Sequence, residues 1–390
     1  MAKALYMHIP FCDQICSYCD FAKVLSKGQD FDAYLSALMI EIDIYRQKIA
    51  INDAPPQLDT IYIGGGTPTV LNISQLESLF TYLHASFDCS NLLEFSIEAN
   101  PESITDAKKI ACLKKYGVTR VSLGVQTFHD DHLATLNRSH RQKDILRAID
   151  MLATAGFDIN IDLIYAIPHQ TLAQWQKDLQ LLLTLPITHV SAYSLILETH
   201  TLFYQQFLKD QLMIVDNEVE AKMFEMTIEM LTSAGFDHYE ISNFTKKKPS
   251  HHNLTYWQNQ PYIGVGLGAH GHLNKTASQA IRYENTRSMT AYKKALESGE
   301  LPILAQHTLT SLTQIEEAMF LGLRLMAGVN LKQLSETYQT DVPALYQEKI
   351  DKLLALGYIS YDEFAPSHIK LTAKGLMMAN DVFEAFLLDT

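Results

Sequence analysis

His8-Ile9-Pro10-Phe11-Cys12-Asp13-Gln14-Ile15-Cys16-Ser17-Tyr18-Cys19-Asp20-Phe21 carries three cysteines in the spacing C-x3-C-x2-C. Three thiolates can hold three irons of a cubane 4Fe-4S cluster and leave the fourth iron open. An open iron can chelate a ligand with both an amine and a carboxylate, such as S-adenosyl-L-methionine (SAM). A four-thiolate cluster would only carry electrons. A zinc site is the alternative, because zinc takes four tetrahedral ligands and His8 offers a fourth.

Outward from this loop, strand and helix patterns alternate. Ala4–Ile9 reads as the strand that feeds the cysteines, and 31–50 as a long amphipathic helix carrying Tyr34, Leu35, Leu38, Met39, Ile42 and Tyr45. Further strands are expected at 60–63, 93–98, 120–125, 159–164 and 189–197. Helices are expected at 105–116, 141–155, 172–185 and 217–234, and another starting from Ser74 as N-cap with Glu77 completing a capping box. Gly117, Gly156 and Gly235 stand where helices end. Repeated βα units imply a parallel sheet with right-handed crossovers. Six units are too few for a closed eight-stranded barrel, so the expectation is an open, partial (β/α)6 barrel with ligands at the C-terminal ends of its strands.

The tail has a different pattern. Helices are expected at 308–326, 331–338, 343–356 and 374–388, with short strands at 358–361 and 368–371. This suggests a winged-helix-like α+β domain. Residues 301–390 hold 11 acidic and 6 Lys or Arg residues, so a DNA-binding role is disfavoured. The expected division is 1–235 for the core, 236–300 for a connecting region and 301–390 for the C-terminal domain. The whole chain has a net charge of −13, which argues against nucleic acid as a partner. No apolar run is long enough for a membrane span. The chain enters its first strand with no signal peptide, and an oxygen-sensitive thiol loop needs a reducing compartment, so a cytoplasmic location is expected. Cys89 and Cys112 read as core filler.

Each central strand ends in groups suited to a shared pocket. Gly64-Gly65-Gly66-Thr67-Pro68-Thr69 follows the second strand, where glycines permit close backbone approach. Glu98 ends the third, Gln126 ends the fourth, and Asp162 lies in the fifth. Taken singly, each also suits a cap or a loop hydrogen bond.

Together these segments resemble the coproporphyrinogen-oxidase-like branch of the radical SAM superfamily. The resemblance rests on Leu5–Cys12, Gly64–Thr69, Glu98-Ala99-Asn100-Pro101, Ser122–Phe128, and Asp162-Leu163-Ile164-Tyr165 with Pro168. It implies a partial radical SAM barrel and reductive cleavage of SAM. Cys12, Cys16 and Cys19 would bind the cluster, flanked by Tyr6 and Tyr18. Gly65, Gly66, Thr67, Glu98, Gln126, Arg138 and Asp162 would line the SAM site, with the Arg138 fork suited to the SAM carboxylate.

Two sub-families share that scaffold. Oxygen-independent coproporphyrinogen III oxidases carry one more cysteine two positions after the third ligand, where this chain has Phe21, and a longer N-terminal extension. Both departures resemble the haem chaperone sub-family called HemW, as does His251-His252-Asn253-Leu254-Thr255-Tyr256-Trp257, which is similar to its H-N-x-x-Y-W motif. The resemblance implies a haem site at His252, Tyr256 and Trp257. Imidazole would be an axial ligand, and Lys246, Lys247 and Lys248 would be near the propionates. The alternative for that motif is a loop-ordering histidine and a core tryptophan. The expected function is haem transfer to an acceptor protein, with an electron donor for the cluster and a monomeric or homodimeric state. Coproporphyrinogen III oxidation is the alternative function, and that activity is expected to be absent. Ala166 and His169 stand where the family usually shows glycines, and Asn137 where the chaperones tend to have one.

Overall fold

The computed structural model describes residues 2–49, 55–274 and 279–388. Among them, six parallel strands run in chain order, Ala4–Ile9, Thr60–Gly65, Glu94–Ala99, Arg120–Gln126, Asp158–Tyr165 and His189–Ser194. The helices between them include Phe31–Ile49, Ile73–Ser86, Ala107–Lys115, Gln142–Thr154 and Leu172–Leu182. Ala50, the expected last residue of the first helix, lies outside the described residues. The expected partial barrel is present.

Side chains alternate along these strands, and the two faces differ in kind. Leu5, Met7 and Ile9, Ile61 and Ile63, Phe95 and Ile97, Val121 and Leu123, and Ile159 and Ile161 join the helices in one apolar core. The opposite face carries Tyr6, His8, Thr60, Tyr62, Glu94, Ser96, Glu98, Arg120, Ser122, Asn160, Asp162, His189 and Ser191. Strands buried on both faces usually read as continuous apolar runs. Here the inner face is polar, so the barrel has a hydrogen-bonding lumen rather than a packed apolar one.

The sheet is wider than expected. Residues 236–300, expected as a connecting region, contribute five strands. Tyr262–Gly266 joins the first strand in parallel, and His270–Asn274 and Ala280–Asn285 continue antiparallel from it. Asp237–Glu240 and Asn243–Thr245 extend the other edge. The strand signal was weak because Gly264, Gly266, Gly268 and Gly271 break the apolar pattern. Those glycines are needed for close contact: a Cβ on Gly264 would lie 1.7 Å from the His270 carbonyl oxygen.

Three boundaries also differ. The capping box begins at Asn72, not Ser74, with Gln75 as its partner, because buried Leu71 fixes the entry to that helix. The expected helix 308–326 is a strand, Ile303–Leu309, followed by helix Ser311–Gly322. The strand forms because Ala280–Asn285 offers it a free edge. The last expected helix breaks at Met378 into Ala373–Met377 and Ala379–Ala385. The tail has its own apolar core around Ile315, Met319, Tyr346, Ile350 and Ile369, beside a three-stranded wing of Val329–Asn330, His368–Leu371 and Ile359–Tyr361. Among the described residues no helix is long and apolar enough to cross a membrane.

Candidate functional site

The C-terminal ends of the parallel strands form a mouth beneath the cysteine loop. Phe11–Cys12 pairs with Val24–Leu25 and so fixes both ends of that loop. Its middle is held by Ser17 N–H donating to Leu136 O at 3.2 Å and Phe203 N–H donating to Ser17 O at 3.0 Å. Cys12, Cys16 and Cys19 are all free thiols and partly exposed. Burial pushes the Cys12 thiol up to about 11, with the charge of Cys19 adding and a Thr67 hydrogen bond opposing. Burial also raises Cys19, with Lys23 opposing. Tyr18 packs against Leu136, Ile164, Ile167 and Phe203. The side chain of Phe21 is exposed (65%).

The glycine run is stitched to the exit of the first strand. Gly66 N–H donates to Ile9 O and Thr67 N–H to Phe11 O, each at 2.8 Å. Gly65, at φ +110, donates its N–H to Glu98 Oε2 at 2.9 Å. A Cβ on Gly66 would come 2.7 Å from Phe11 O, so only glycine lets this turn pack against the backbone that leads into the cysteine loop.

Glu98 also accepts from Tyr62 Oη at 2.8 Å. Burial pushes its carboxyl up to about 7, opposed by Tyr62, reinforced by Asp162 and opposed again by the Gly65 N–H. Asp162 accepts from Ser122 Oγ at 2.9 Å and Asn160 Nδ2 at 2.7 Å, and burial raises it to about 6. Arg138 donates from Nη1 to Asn100 Oδ1 at 3.1 Å and from Nη2 to Gly124 O at 3.2 Å, while its buried Nε has no partner. Gln126 sits on a bulge at the end of the fourth strand with φ 69, a geometry that re-aims a side chain.

This donor set fits a three-thiolate cubane and an amino acid-bearing ligand. It offers free thiols, an unpaired buried guanidinium nitrogen and two carboxyls. It fits zinc poorly. The proposed fourth ligand, His8, has Nδ1 3.0 Å from Tyr6 Oη and Nε2 2.6 Å from Ala22 O. Among the described residues no three His, Cys, Asp or Glu side chains gather as a single-ion site.

The His-Asn-x-x-Tyr-Trp motif lies at the opposite end. Helix His251–Trp257 sits beside the N-terminal ends of the strands, where it forms a floor. Glu94 accepts from its cap residue Ser250 Oγ and from His251 N–H, each at 2.9 Å. Thr60 Oγ1 lies 2.9 Å from His252 Nδ1, and Tyr256 Oη lies 2.8 Å from His252 Nε2. His252 is fully buried (0% exposed), and burial lowers its pKa to about 3. The expected axial ligand therefore has both nitrogens engaged and no open face. Trp257 lies under the Arg324 guanidinium, 4.4 Å from the ring centroid. Lys246 covers Phe236, and Lys247 donates to Asp158 at 2.7 Å. His252 and Tyr256 are thus together, Trp257 on the same helix faces Arg324, and all three lie away from the mouth.

Sequence reasoning alone does not single out Tyr62 or Asn100 as site residues. Asn100 links Thr67 Oγ1, 2.9 Å from its Nδ2, to Arg138. Tyr62 alternates with Gly64 on the lumen face, and that alternation was the available signal.

Comparison with known proteins agrees with this geometry. The model of the Radical SAM superfamily matches residues 6–182, and that of the HemN C-terminal domain matches residues 309–378. The "Heme chaperone HemW" of Lactococcus lactis subsp. lactis is 40% identical over 389 residues, 99% of this chain and 98% of that protein. The protein of the same name from Bacillus subtilis is also 40% identical, covering 99% of both. Coproporphyrinogen III oxidase (HemN) from Escherichia coli superposes with TM-score 0.82 at 22% identity, over 98% of this chain and 89% of that one, which shows a shared fold.

Proposed function

This chain belongs to the heme chaperone HemW family within the radical SAM superfamily, and from that premise we propose that it binds haem and passes it to an acceptor protein. The observation that carries the reading is the three-thiol loop over the Glu98 and Asp162 mouth, with an exposed phenylalanine two positions beyond its third cysteine. In this reading Cys12, Cys16 and Cys19 hold a 4Fe-4S cluster, which supplies an open iron and one electron from a donor protein. The Arg138 fork takes the SAM carboxylate. Gly65, Gly66 and Thr67 line its amino-acid end, and Glu98, Gln126 and Asp162 accept from amine or ribose hydroxyl donors. Tyr6 and Tyr18 shield the cluster from water.

Residues 1–235 form the SAM core in this reading, 236–300 carry the His-Asn-x-x-Tyr-Trp helix and widen the core's sheet, and 301–390, which give Ile303–Leu309 to that sheet, otherwise form a docking or packing domain acting in the cytoplasm. Haem engagement by Tyr256 and Trp257 with His252 as ligand requires the floor helix to leave its place. The haem-bound state would then differ from the one described.

The decisive experiment is anaerobic reconstitution followed by haem titration and a coproporphyrinogen III turnover assay with SAM and reductant. The expected result is about four irons per chain, a haem Soret band, and protoporphyrinogen IX at background. Cluster retention by the Cys12/Cys16/Cys19→Ser variant, or sustained decarboxylation, would overturn the reading.

A further inference from the structure

We infer that His252 is a positioning residue for the SAM pocket, holding Tyr62 and, through it, Glu98 from beneath. This rests on the reading of the mouth as a SAM site.

Thr60, Tyr62 and Gly64 alternate on the lumen face of the second strand, so they rise in steps from floor to mouth. At the bottom Thr60 fixes His252 through Nδ1. One step up, the Tyr62 ring is held on two sides. It stacks on His252 with centroids 5.2 Å apart and planes at 29°, and on Tyr6 at 6.1 Å and 26°. The hydroxyl of this clamped ring donates to Glu98. At the top, a Cβ on Gly64 would lie 2.8 Å from both the Tyr62 ring and the Glu98 carboxyl. Glycine there leaves the two groups room to meet.

His252 is itself held. Tyr256, one turn on, bonds its other nitrogen and meets its ring edge-on at 5.0 Å and 88°. Tyr256 packs on Tyr262 at 4.6 Å. An imidazole with both nitrogens bonded and a face against a phenol ring has the environment of a spacer. A metal ligand needs one nitrogen free. Removing the ring would leave a cavity under Tyr62 and release Glu98 from its orientation, a loss felt at a site His252 does not touch.

The test uses the reconstituted full chain, with SAM affinity read from the electron paramagnetic resonance of the reduced cluster and haem affinity read from the Soret band. His252→Ala should weaken SAM about tenfold, the equivalent of one well-made hydrogen bond, with cluster content unchanged. Tyr62→Phe keeps the stack and loses only the hydroxyl. It should weaken SAM several-fold with little change in melting temperature, and it remains informative if His252→Ala folds poorly. The double variant should be no weaker than the worse single one, as coupled residues are. His252→Gln, whose amide can serve both neighbours, should recover part of the affinity. Unchanged SAM affinity in folded His252→Ala and in Tyr62→Phe would overturn the inference. So would haem loss with SAM binding intact, which would make His252 a ligand. Failure of the parent protein to bind SAM would instead defeat the reading of the mouth.

Discussion

The mouth and the floor of the barrel are both lined with polar side chains, yet they differ in how those groups are satisfied. In the mouth, three thiols are free, Arg138 Nε has no partner, and two carboxyls sit in a partly dry lumen with acceptor positions open. On the floor, Glu94 accepts from Ser96, Ser250 and His251 and lies 3.5 Å from the Arg120 Nε, and His252 is bonded at both nitrogens, although Arg120 Nε and Nη1 and Trp257 Nε1 make no hydrogen bond. Spare bonding capacity in a buried setting costs stability and is kept where a ligand will use it. Saturated capacity marks architecture. By this measure the mouth is a site, and the part of the floor built on Glu94 and His252 is the frame that supports it.

The largest expected difference between the two ends is in stability. Glu94→Ala removes a carboxylate that is 3% exposed and leaves Arg120, itself 8% exposed, as an unpaired buried charge. Loss of one partner of such a pair costs about 3–5 kcal/mol. Glu98→Ala removes a carboxyl that burial already disfavours as an anion and leaves the Tyr62 hydroxyl and Gly65 N–H without their acceptor but no unpaired charge, so it should cost less than Glu94→Ala while abolishing tight SAM binding. Urea denaturation of both variants, with SAM affinity alongside, checks this. Equal destabilisation would erase the distinction between frame and site.

A smaller difference is expected in pH dependence. Burial raises Glu98 to about 7 and Asp162 to about 6, from the ordinary 4.5 and 3.8 of these carboxyls. The folded chain therefore binds these protons more tightly than the unfolded chain. Their contribution to stability is complete below the ordinary carboxyl values and is lost as pH rises through 6 and 7. Glu98→Gln should flatten the fall in melting temperature across that window, by an amount worth on the order of 1–2 kcal/mol. Glu41, a core carboxyl raised to about 7 by burial, acts in the same window, and Glu41→Gln should flatten it without touching SAM binding. An unchanged profile in Glu98→Gln would show that the mouth is wetter than its geometry implies.

The mouth was legible in the sequence because its chemistry is local. Three cysteines fall within eight residues, and glycines or acids come at successive strand ends, so βα periodicity was enough to bring them together. The floor was not legible in the same way. His252 meets Thr60 across 192 residues of chain and Glu94 meets Ser250 across 156, and no local pattern encodes such contacts. The extra strands of 236–300 were hidden for a related reason. Their glycines suppress the apolar signal and serve close backbone packing that only the partner strand reveals. Tyr62 was passed over because a tyrosine in an apolar strand reads as core until the register shows which face it occupies.

The smallest expected effect tests the loop that joins the fifth strand to its helix, on the rim of the mouth. Ala166 and His169 have φ of 59° and 67°, the left-handed region in which a Cβ costs about 1–2 kcal/mol. These are two of the three positions where the resemblance leads us to expect glycine, the third being Asn137 at φ 58°, so the chain keeps the backbone and bears the strain. The two sites should nonetheless respond differently. His169 is exposed, so His169→Gly relieves strain and loses little packing. Set against the greater freedom of glycine in the unfolded chain, the net gain should be about 0.5–1 kcal/mol. Ala166 is 6% exposed and belongs to the main apolar core. Ala166→Gly gives up a buried methyl worth about 0.8 kcal/mol, which should cancel most of the relief. Urea midpoints would read both, expected to rise for His169→Gly and to stay nearly level for Ala166→Gly. A fall for His169→Gly would mean that its side chain holds the rim in a way that outweighs the backbone strain, which would extend the frame of the floor up to the mouth itself.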